Sequence, residues 1–255
     1  MAILKLPTQK EIKRYATLLN VLVKYGFEDV LSKSAFSKII PKKYLENHPD
    51  IEQNLSFSKY ERIRMVLEEL GPTYVKLGQI FSTREDMLPA ELITELEKLQ
   101  DHLPMLKNFD VLKTIEAELG TENFRYFATI NIEPLAAASL AQVHRAQLIN
   151  GDEVILKIQR PNIEEIIESD LLVMKQLANS LEKYSSQAEA LQPLRIIESF
   201  ERSIKEELQF SRELKNTVQF TENFEGNMHI HVPDIYEDLS NDKIICMEFI
   251  DGIKV

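Results

Sequence analysis

Two β-rich runs meet at the dipeptide Asn150-Gly151, and this feature constrains the fold more than any other part of the sequence. Asn-Gly favours the tight turn of a β-hairpin, so we predict that residues 141–149 and 153–160 form paired antiparallel strands. Further strands are predicted over 229–232, 235–237 and 243–250. Elsewhere apolar residues recur at helical spacing, which predicts helices over 9–25, 58–70, 73–84, 89–99, 108–119, 162–184 and 193–224. The sequence therefore indicates an α+β fold in which helices accompany an antiparallel sheet of about five strands.

The composition excludes several classes of protein. The 255 residues include one cysteine, which rules out a disulfide framework and a zinc site built on several thiolates. With 30 basic and 41 acidic side chains the net charge is −11, which argues against general binding to nucleic acid. Cys246 stands among Ile244, Ile245 and Met247, so we expect it to behave as a small buried apolar residue.

The charge is distributed unevenly along the chain. Residues 1–45 hold nine Lys and Arg against three Asp and Glu, so this leader is basic. Lys10, Lys13 and Arg14 could contact anionic lipid, or they could form an ordinary solvated helix face, and both interpretations stay open. No stretch approaches the roughly 18 apolar residues that cross a bilayer, and the N-terminus lacks the features of a signal peptide. We therefore expect an intracellular protein without a membrane span of its own.

Lys157 is the first candidate for chemistry, because it stands between Leu156 and Ile158 in the second strand of the hairpin. An ammonium group inside an apolar strand is costly unless it has a partner, and a phosphate is a natural one. The preceding segment, residues 135–143, is rich in small residues that let backbone N–H groups approach an anion closely. The alternative is a lysine on the solvent face of an edge strand.

The helix predicted over 193–224 contains carboxylates that could pair with Lys157. Glu206 and Glu213 are seven residues apart, so in a continuous helix they share roughly one face, whereas Glu207 is offset by about 100°. A Lys–Glu pair that positions phosphates is typical of protein-kinase small lobes. The alternative is that these glutamates form the solvated faces of an acidic helix.

A second group of residues lies in the helix predicted over 73–84. Gly78 costs about 1 kcal/mol relative to alanine inside a helix, so we expect it to allow another element to approach closely. Lys76 and Gln79 are three residues apart and could present a cation and an amide to one target. The preceding helix should begin at a capping box, the sequence Ser-Lys-Tyr-Glu that starts at Ser58.

Together these motifs resemble those of the UbiB/ADCK family of atypical protein-kinase-like proteins. The family's KxGQ signature is found at residues 76–79, its alanine-rich loop at 136–139, its AQVHxA sequence at 141–146 and its VxxK, followed by Gln-Arg-Pro, at 154–161. The resemblance runs from about residue 58 to residue 255. It implies a leader (1–57), a helical KxGQ extension (58–125) and a kinase-like small lobe (126–255) that ends at the hinge, with the large lobe absent.

The resemblance also implies a role for each matching residue. Lys157 would contact the phosphates of ATP or ADP, with Glu213 as its partner. Lys76 and Gln79 would reach the active site, where Lys76 would face Glu207 of the family's ExD motif. His144 in AQVHxA is expected to be a structural strand residue and not a general base. The other implied nucleotide contacts are the covering loop of Leu135, Ala136, Ala137, Ala138, Ser139 and Val143, and the hinge residues Glu248 and Phe249.

The chain departs from the family pattern in two respects. Gln209 stands where the ExD motif has Asp, and an amide cannot supply a negative charge. The catalytic loop and metal-binding Asp of a kinase large lobe are expected to be missing, so Mg²⁺ is expected only in the complete protein. We expect this chain alone to be inactive, and whether it counts as an enzyme stays open.

The resemblance implies a function for the complete protein. It would be an ATP-binding ATPase or small-molecule kinase, a transferase, that supports isoprenoid-quinone biosynthesis of the ubiquinone type. The expected location is the cytoplasm, with peripheral contact to the inner membrane left open. The alternative function is a non-catalytic module that docks on an anionic membrane or on quinone-biosynthesis proteins.

Overall fold

The computed structural model describes residues 9–27, 51–100, 109–184 and 191–252. The chain divides into two compact units. The helical unit consists of Met1–His102 and Glu164–Arg202, and the sheet unit consists of Leu103–Ile163 and Ser203–Val255. The predicted domain boundaries after residues 57 and 125 stay predictions, and the two compact units divide the chain at other positions.

The helices follow one another along the chain with short connections. In chain order they are α1 (Gln9–Lys24), α2 (Ile51–Asn54), α3 (Lys59–Leu70), α4 (Pro72–Phe81), α5 (Ala90–Glu97), α6 (Val111–Phe124), α7 (Ile163–Tyr184), α8 (Pro193–Glu207) and α9 (Phe210–Asn223). In α6, Gly120 has a φ of 80° and kinks the helix where the sequence predicted its end. The predicted first residue of that helix, Asn108, lies outside the described residues.

Local sequence signals set the ends and the packing of α3 and α4. The Ser58 hydroxyl accepts the N–H of Glu61 at 3.2 Å, and the Glu61 carboxylate accepts the N–H of Ser58 at 2.8 Å, which confirms the capping box. Pro72 occupies the first turn of α4, where its missing N–H costs no helical hydrogen bond. Gly78 is buried, and a Cβ there would overlap the side chain of Leu99. The predicted close approach at Gly78 is therefore confirmed.

A buried ion pair and the other contacts of its arginine join four helices of the helical unit. Arg14 on α1 donates from Nε to the carboxylate of Asp170 on α7, and from Nη2 to the carbonyl of Leu70 at 2.7 Å. The ring centroid of Tyr74 on α4 lies 5.6 Å from the guanidinium carbon. Asp170 is fully buried, and this burial raises the pKa of its carboxyl group although Arg14 acts in the opposite direction.

The basic leader is described only in part, since residues 1–8 and 28–45 lie outside the described residues. The Arg14 side chain is bonded to Asp170 inside the helical unit and is not available for contact with lipid. Lys13 is exposed, and the side chain of Lys10 lies outside the description. Among the described residues, no helix is both long enough and apolar enough to cross a membrane. Lipid contact through the rest of the leader stays a prediction.

The sheet unit is built on a five-stranded antiparallel sheet. Its strands are β1 (Phe127–Ile130), β2 (Ala136–Ala137), β3 (Ala141–Leu148), β4 (Glu153–Gln159) and β5 (Ile244–Glu248). The order is β1-β3-β4-β5, and β2 also pairs with β3. The predicted hairpin is confirmed between β3 and β4, where Gly151 has a φ of 98° and donates its N–H to the carbonyl of Leu148 at 2.9 Å.

The number of strands agrees with the prediction, but two of the five are different. Residues 229–232 form no strand, and Ile235 makes only an isolated bridge. The side chain of Asn227 accepts the N–H of His229 at 2.9 Å, and this turn keeps the segment out of the sheet. The two remaining strands of the observed sheet are instead β1 and β2, which were not predicted from the sequence. Both are short. β2 consists of alanine, so its strand conformation comes from pairing with β3 and not from β-propensity.

Alternation along the strands gives the sheet two different faces. One face packs against α6, and its core consists of Val111, Ile115, Ala146, Leu148, Val154, Leu156, Ile158, Leu239, Ile244 and Cys246. Lys157 projects from the opposite face, and its neighbours across the strands are Val143 on β3 and Ile245 on β5. Because β4 is paired on both sides, the interpretation of Lys157 as a lysine on an edge strand is wrong.

The helix predicted over 193–224 is two helices in the structure. α8 ends at Glu207 and α9 begins at Phe210, with a break between them. The interpretation that Glu206 and Glu213 share the face of one continuous helix is therefore wrong.

Tertiary contacts satisfy the backbone groups at this break. The side-chain amide of Gln159 donates to the carbonyl of Leu208, and the N–H of Phe210 donates to the carbonyl of Asp242 at 3.4 Å. No glycine or proline lies at the break. The bend therefore depends on partners that are distant in sequence, which local helix signals cannot reveal.

Candidate functional site

Lys157 and Glu213 form the centre of the candidate site. Lys157 projects from β4 and Glu213 from the first turn of α9. The Lys157 Nζ atom lies 2.8 Å from Oε1 and 2.6 Å from Oε2 of Glu213. The two side chains are 24% and 39% exposed, so water reaches both charges. The structure thus brings together the two residues that the resemblance paired.

An apolar floor lies beneath this ion pair. The ring centroid of Phe210 is 4.9 Å from the Nζ atom of Lys157. Phe210 itself is buried in a cluster with Ala141 and Ile245. An ammonium group above an aromatic ring is attracted by the electrons of the ring face. Phe210 therefore supports the lysine and anchors the first turn of α9, from which Glu213 projects.

The alanine-rich loop is a short hairpin formed by β2 and β3. The N–H of Leu135 donates to the carbonyl of Val143 at 2.7 Å, and the N–H of Ala138 donates to the carbonyl of Ala141 at 2.9 Å. Because Val143 pairs with Lys157, the loop lies along the strand next to the lysine. Of the predicted loop residues, Leu135 and Ala136 are exposed, Ala137, Ala138 and Val143 are half-buried and Ser139 is buried.

A cavity of about 550 Å³ opens beside Glu213 in the sheet unit. Its volume falls in the range of roughly 300–1,000 Å³ that is usual for small-ligand pockets. Glu207 and Gln209 line it, and at its edge Glu206 forms an exposed ion pair with Arg212 at 3.1 Å. The cavity therefore places further polar groups next to the carboxylate that holds Lys157.

The predicted catalytic residues Lys76 and Gln79 lie one turn apart on α4 of the helical unit, whereas Glu207 belongs to the sheet unit. The Gln79 side-chain amide donates to the carbonyl of Leu99 at 2.9 Å, which ties α4 to the 3₁₀ turn after α5. Lys76 is half-buried. The approach of Lys76 to Glu207 and the catalytic roles of the three residues stay predictions.

The predicted hinge residues lie at the end of β5. The N–H of Glu248 donates to the carbonyl of Asp234 at 2.8 Å, and the N–H of Phe249 donates to the carbonyl of Glu153 at 2.9 Å. The guanidinium carbon of Arg145 lies 4.1 Å from the centroid of the Phe249 ring. Both N–H groups are used within the sheet unit, so an adenine ring here would need other backbone groups. The adenine contact itself stays a prediction.

His144 lies in the buried face of the sheet, away from Lys157. Its Nδ1 atom is 3.0 Å from the carbonyl oxygen of Asn131, and because a carbonyl can only accept, Nδ1 carries the proton. Burial lowers the pKa of His144, which keeps the imidazole neutral. Cys246 is also fully buried, and burial raises the pKa of its thiol to about 12. The structural interpretation of both residues is confirmed.

Within the part of the chain that the structure describes, no group of three or more His, Cys, Asp or Glu side chains is arranged to hold a metal ion.

Sequence reasoning missed two side chains that support the site. Phe210 lies under the Nζ atom of Lys157, and Arg160 donates to the carbonyl of Ala138 in the loop. Phe210 could have been found, because an apolar residue three positions before Glu213 shares its helical face. In the sequence, Arg160 stood out only as part of the Gln-Arg-Pro motif, and that motif did not indicate a contact with the loop.

A sequence model of the ABC1 atypical kinase-like domain matches residues 98–255. The chain belongs to this family. The match to the ABC1 family includes Lys157, Glu213, the alanine-rich loop and every strand of the sheet, so the candidate site lies inside the matched domain.

Curated relatives extend the similarity to nearly the whole chain. Three of them, each named "Probable protein kinase UbiB", come from Pseudomonas fluorescens (37% identical over 251 residues), Pseudomonas entomophila (34% over 252) and Pseudomonas aeruginosa (36% over 252). Each alignment covers 96% of this chain and 46% of the relative. The chain thus spans about half the length of the curated relatives it matches.

A solved structure supports the same assignment. The complex of Rv3197 with erythromycin from Mycobacterium tuberculosis aligns with a TM-score of 0.51 at 27% identity, over 81% of this chain and 52% of that chain. The resemblance to the UbiB/ADCK family and the α+β fold with a kinase-like small lobe are therefore confirmed.

Proposed function

We propose that the sheet unit of this ABC1-family protein binds an adenine nucleotide, ATP or ADP, with the phosphates at Lys157. The observation that carries the proposal is the water-accessible Lys157–Glu213 ion pair beside a loop of small residues. A pair in this position can hold the Lys157 ammonium group in place and still leave it accessible to a ligand.

The chemistry of the pair suits a phosphate. An ammonium group has three N–H donors, and the contacts with the Glu213 carboxylate leave a donor for a phosphate oxygen. Since water already reaches both side chains, a phosphate would displace water and would not have to break a buried ion pair. Phe210 keeps the Lys157 side chain in place from below.

The register of the sheet supports one orientation of the nucleotide. Val154 pairs with Glu248 at the hinge end, three residues before Lys157 on β4. At roughly 3.3 Å per residue, the hinge end is about 10 Å from Lys157 along the strand. We propose that the adenine lies toward Glu248 and Phe249 and the phosphates toward Lys157 and the loop.

For the whole protein we propose an ATPase or small-molecule kinase activity that supports isoprenoid-quinone biosynthesis. The resemblance to the UbiB/ADCK family and the relatives that carry the UbiB name support this proposal. We further propose that the protein works in the cytoplasm at the surface of the inner membrane. In this proposal Mg²⁺ is held by catalytic groups outside the described residues.

Replacing Lys157 with methionine tests nucleotide binding. At ADP concentrations about 100-fold above Kd, binding should stabilise the wild-type chain by about 2.7 kcal/mol, which raises its Tm. Lys157→Met should lose most of this increase, because methionine fills a similar volume without a cation. Lys113→Met is the matched control, since Lys113 is exposed on α6 of the same unit.

The responses of the wild type, Lys157→Met and Lys113→Met to ADP distinguish nucleotide binding at Lys157 from a non-catalytic docking module. A response to ADP in the wild type and in Lys113→Met, but not in Lys157→Met, supports nucleotide binding at Lys157. Equal responses in all three proteins would contradict the proposed site. A wild-type chain that does not respond to ADP would favour the non-catalytic docking module.

A further inference from the structure

Arg160 follows β4 directly and contacts the alanine-rich loop through its side chain and its backbone. Its Nε and Nη2 atoms donate to the carbonyl of Ala138 at 3.3 and 3.1 Å. Its backbone N–H donates to the carbonyl of Leu140 at 2.9 Å. Three hydrogen bonds from one residue thus hold the loop tip, residues 138–140, against the end of β4.

The loop tip is largely buried in the folded chain. Ser139 and Leu140 are 5% and 2% exposed, and Arg160 is 8% exposed. The N–H of Ala138 is also bonded across the turn to the carbonyl of Ala141. The closed form of the tip is therefore a property of the unit's own hydrogen bonds.

The guanidinium group of Arg160 suits this task better than other cations do. Burial lowers the pKa of Arg160, because the buried charge loses part of its hydration. A hydrogen bond from such a charged donor is stronger than one between neutral groups. Two donors from a rigid plane also fix the direction of the Ala138 carbonyl, whereas a lysine ammonium is a flexible point charge.

The register of the sheet shows which part of a ligand lies nearest to the tip. Along β4, Val154 marks the hinge end, Lys157 lies in the middle and Arg160 follows the last residue. At roughly 3.3 Å per residue, Arg160 is about 10 Å from Lys157 and about 20 Å from the hinge end. The tip therefore borders the position proposed for the phosphates and not the position proposed for the adenine.

We propose that Arg160 is a positioning residue that keeps the alanine-rich loop closed over the phosphate end of the nucleotide site. The inference rests on the proposed function, because it requires phosphates at Lys157. A loop that is already ordered loses little conformational freedom when a ligand binds, and this preserves affinity. The effect of Arg160 is confined to ligands that carry phosphates.

Arg160→Met removes the Nε and Nη2 donors that bind the Ala138 carbonyl and keeps a long apolar stem. On the 255-residue chain, NMR titration should show the Kd for ADP rising about tenfold, which corresponds to about 1.4 kcal/mol. The Kd for adenosine should not change. Arg125→Met is the matched control, because Arg125 is exposed in the same unit. Arg160→Lys retains the charge and should recover part of the affinity for ADP, which a purely space-filling role would not predict.

Three results would overturn the inference. The first is an equal weakening of ADP and adenosine binding in Arg160→Met, and the second is no weakening of either. The third is that Arg160→Lys binds ADP as weakly as Arg160→Met does. If Arg160→Met does not fold, Arg160→Lys replaces it: the Kd for ADP should rise severalfold with adenosine unchanged, and an unchanged Kd for ADP counts against the inference.

A second measurement separates this inference from the proposed function. In the absence of nucleotide, hydrogen exchange of the Ala138 amide should be faster in Arg160→Met and Arg160→Lys than in the wild type. If the wild-type chain binds no ADP, the proposed function fails, and loop closure by Arg160 is then judged from amide exchange alone. Unchanged exchange in both variants would overturn it.

Discussion

The helical unit and the sheet unit each contain an ion pair between residues that are distant in sequence, and the two pairs differ in their access to water. In the helical unit the side chain of Asp170 is 0% exposed and that of its partner Arg14 is 21% exposed. In the sheet unit the values are 24% for Lys157 and 39% for Glu213. One carboxylate has lost its hydration completely, whereas both members of the other pair keep part of theirs.

This difference separates a structural ion pair from one that is available to a ligand. A carboxylate without water depends on its partners within the protein to compensate its charge. The raised pKa of Asp170 agrees with this, because the cost of burial exceeds the help from Arg14. A hydrated pair contributes little to stability, and a ligand can approach it at a small desolvation cost. Arg14–Asp170 therefore holds helices together, and Lys157–Glu213 presents a cation.

Arg14→Met should have the largest effect on stability. It leaves the Asp170 carboxylate buried without a cation, and breaking a buried pair in this way costs about 3–5 kcal/mol. We expect a decrease of that size in the free energy of unfolding, measured by urea denaturation. The double variant Arg14→Met/Asp170→Leu should recover most of the loss, because an apolar pair needs no compensation. If Arg14→Met lowers the free energy of unfolding by less than about 1 kcal/mol, the Arg14–Asp170 pair contributes no more than an exposed ion pair does.

Lys157→Met should change the free energy of unfolding far less, by under about 1 kcal/mol, because both charges of its pair are hydrated. Methionine also keeps the apolar contact with Phe210. The same urea titration measures this effect, and the variant should fold normally although it no longer responds to ADP. A loss as large as that of Arg14→Met would show that the sheet-unit pair is structural.

The smallest effect is expected from pH, and it concerns the buried His144 of the sheet unit. Folded His144 stays neutral because burial holds its pKa below the ordinary value of 6.5, whereas unfolded His144 takes up a proton as the pH falls through 6.5. Protonation of the unfolded chain favours unfolding, so stability present above that pH is lost below it.

His144→Asn checks this pH dependence. The asparagine amide can donate to the same Asn131 carbonyl and does not titrate. Between about pH 8 and about pH 5.5, the wild type should lose more unfolding free energy than the variant does. Parallel pH profiles of the two proteins would show that His144 does not contribute.

Much of the fold could be predicted because it depends on adjacent residues. The hairpin at Asn150-Gly151 follows from the backbone angles that a two-residue turn needs, and the capping box at Ser58 from two side chains three residues apart. The burial of Cys246 follows from its apolar neighbours. In each case the cause lies within a few residues of its effect.

The candidate site was predicted from family motifs, whereas the helix geometry used to place its glutamates was partly wrong. Lys157 and Glu213 meet, but through a short helix that begins at Phe210 and not through one continuous helix. β2, which consists of two alanines, likewise owes its strand conformation to pairing with β3. The role of Arg160 depends on the Ala138 carbonyl, which only the folded chain brings within reach. Such features need long-range contacts that local patterns do not encode.

The bend between α8 and α9 also makes the site depend on the sheet. After Pro193, residues 194–224 contain neither glycine nor proline, so on their own they favour one uninterrupted helix. The groups that hold the bend, the Gln159 amide and the Asp242 carbonyl, are in position only once the sheet has formed. The Lys157–Glu213 ion pair therefore depends on correct strand pairing, and a chain with a misaligned β4 would lose the bend and the ion pair together.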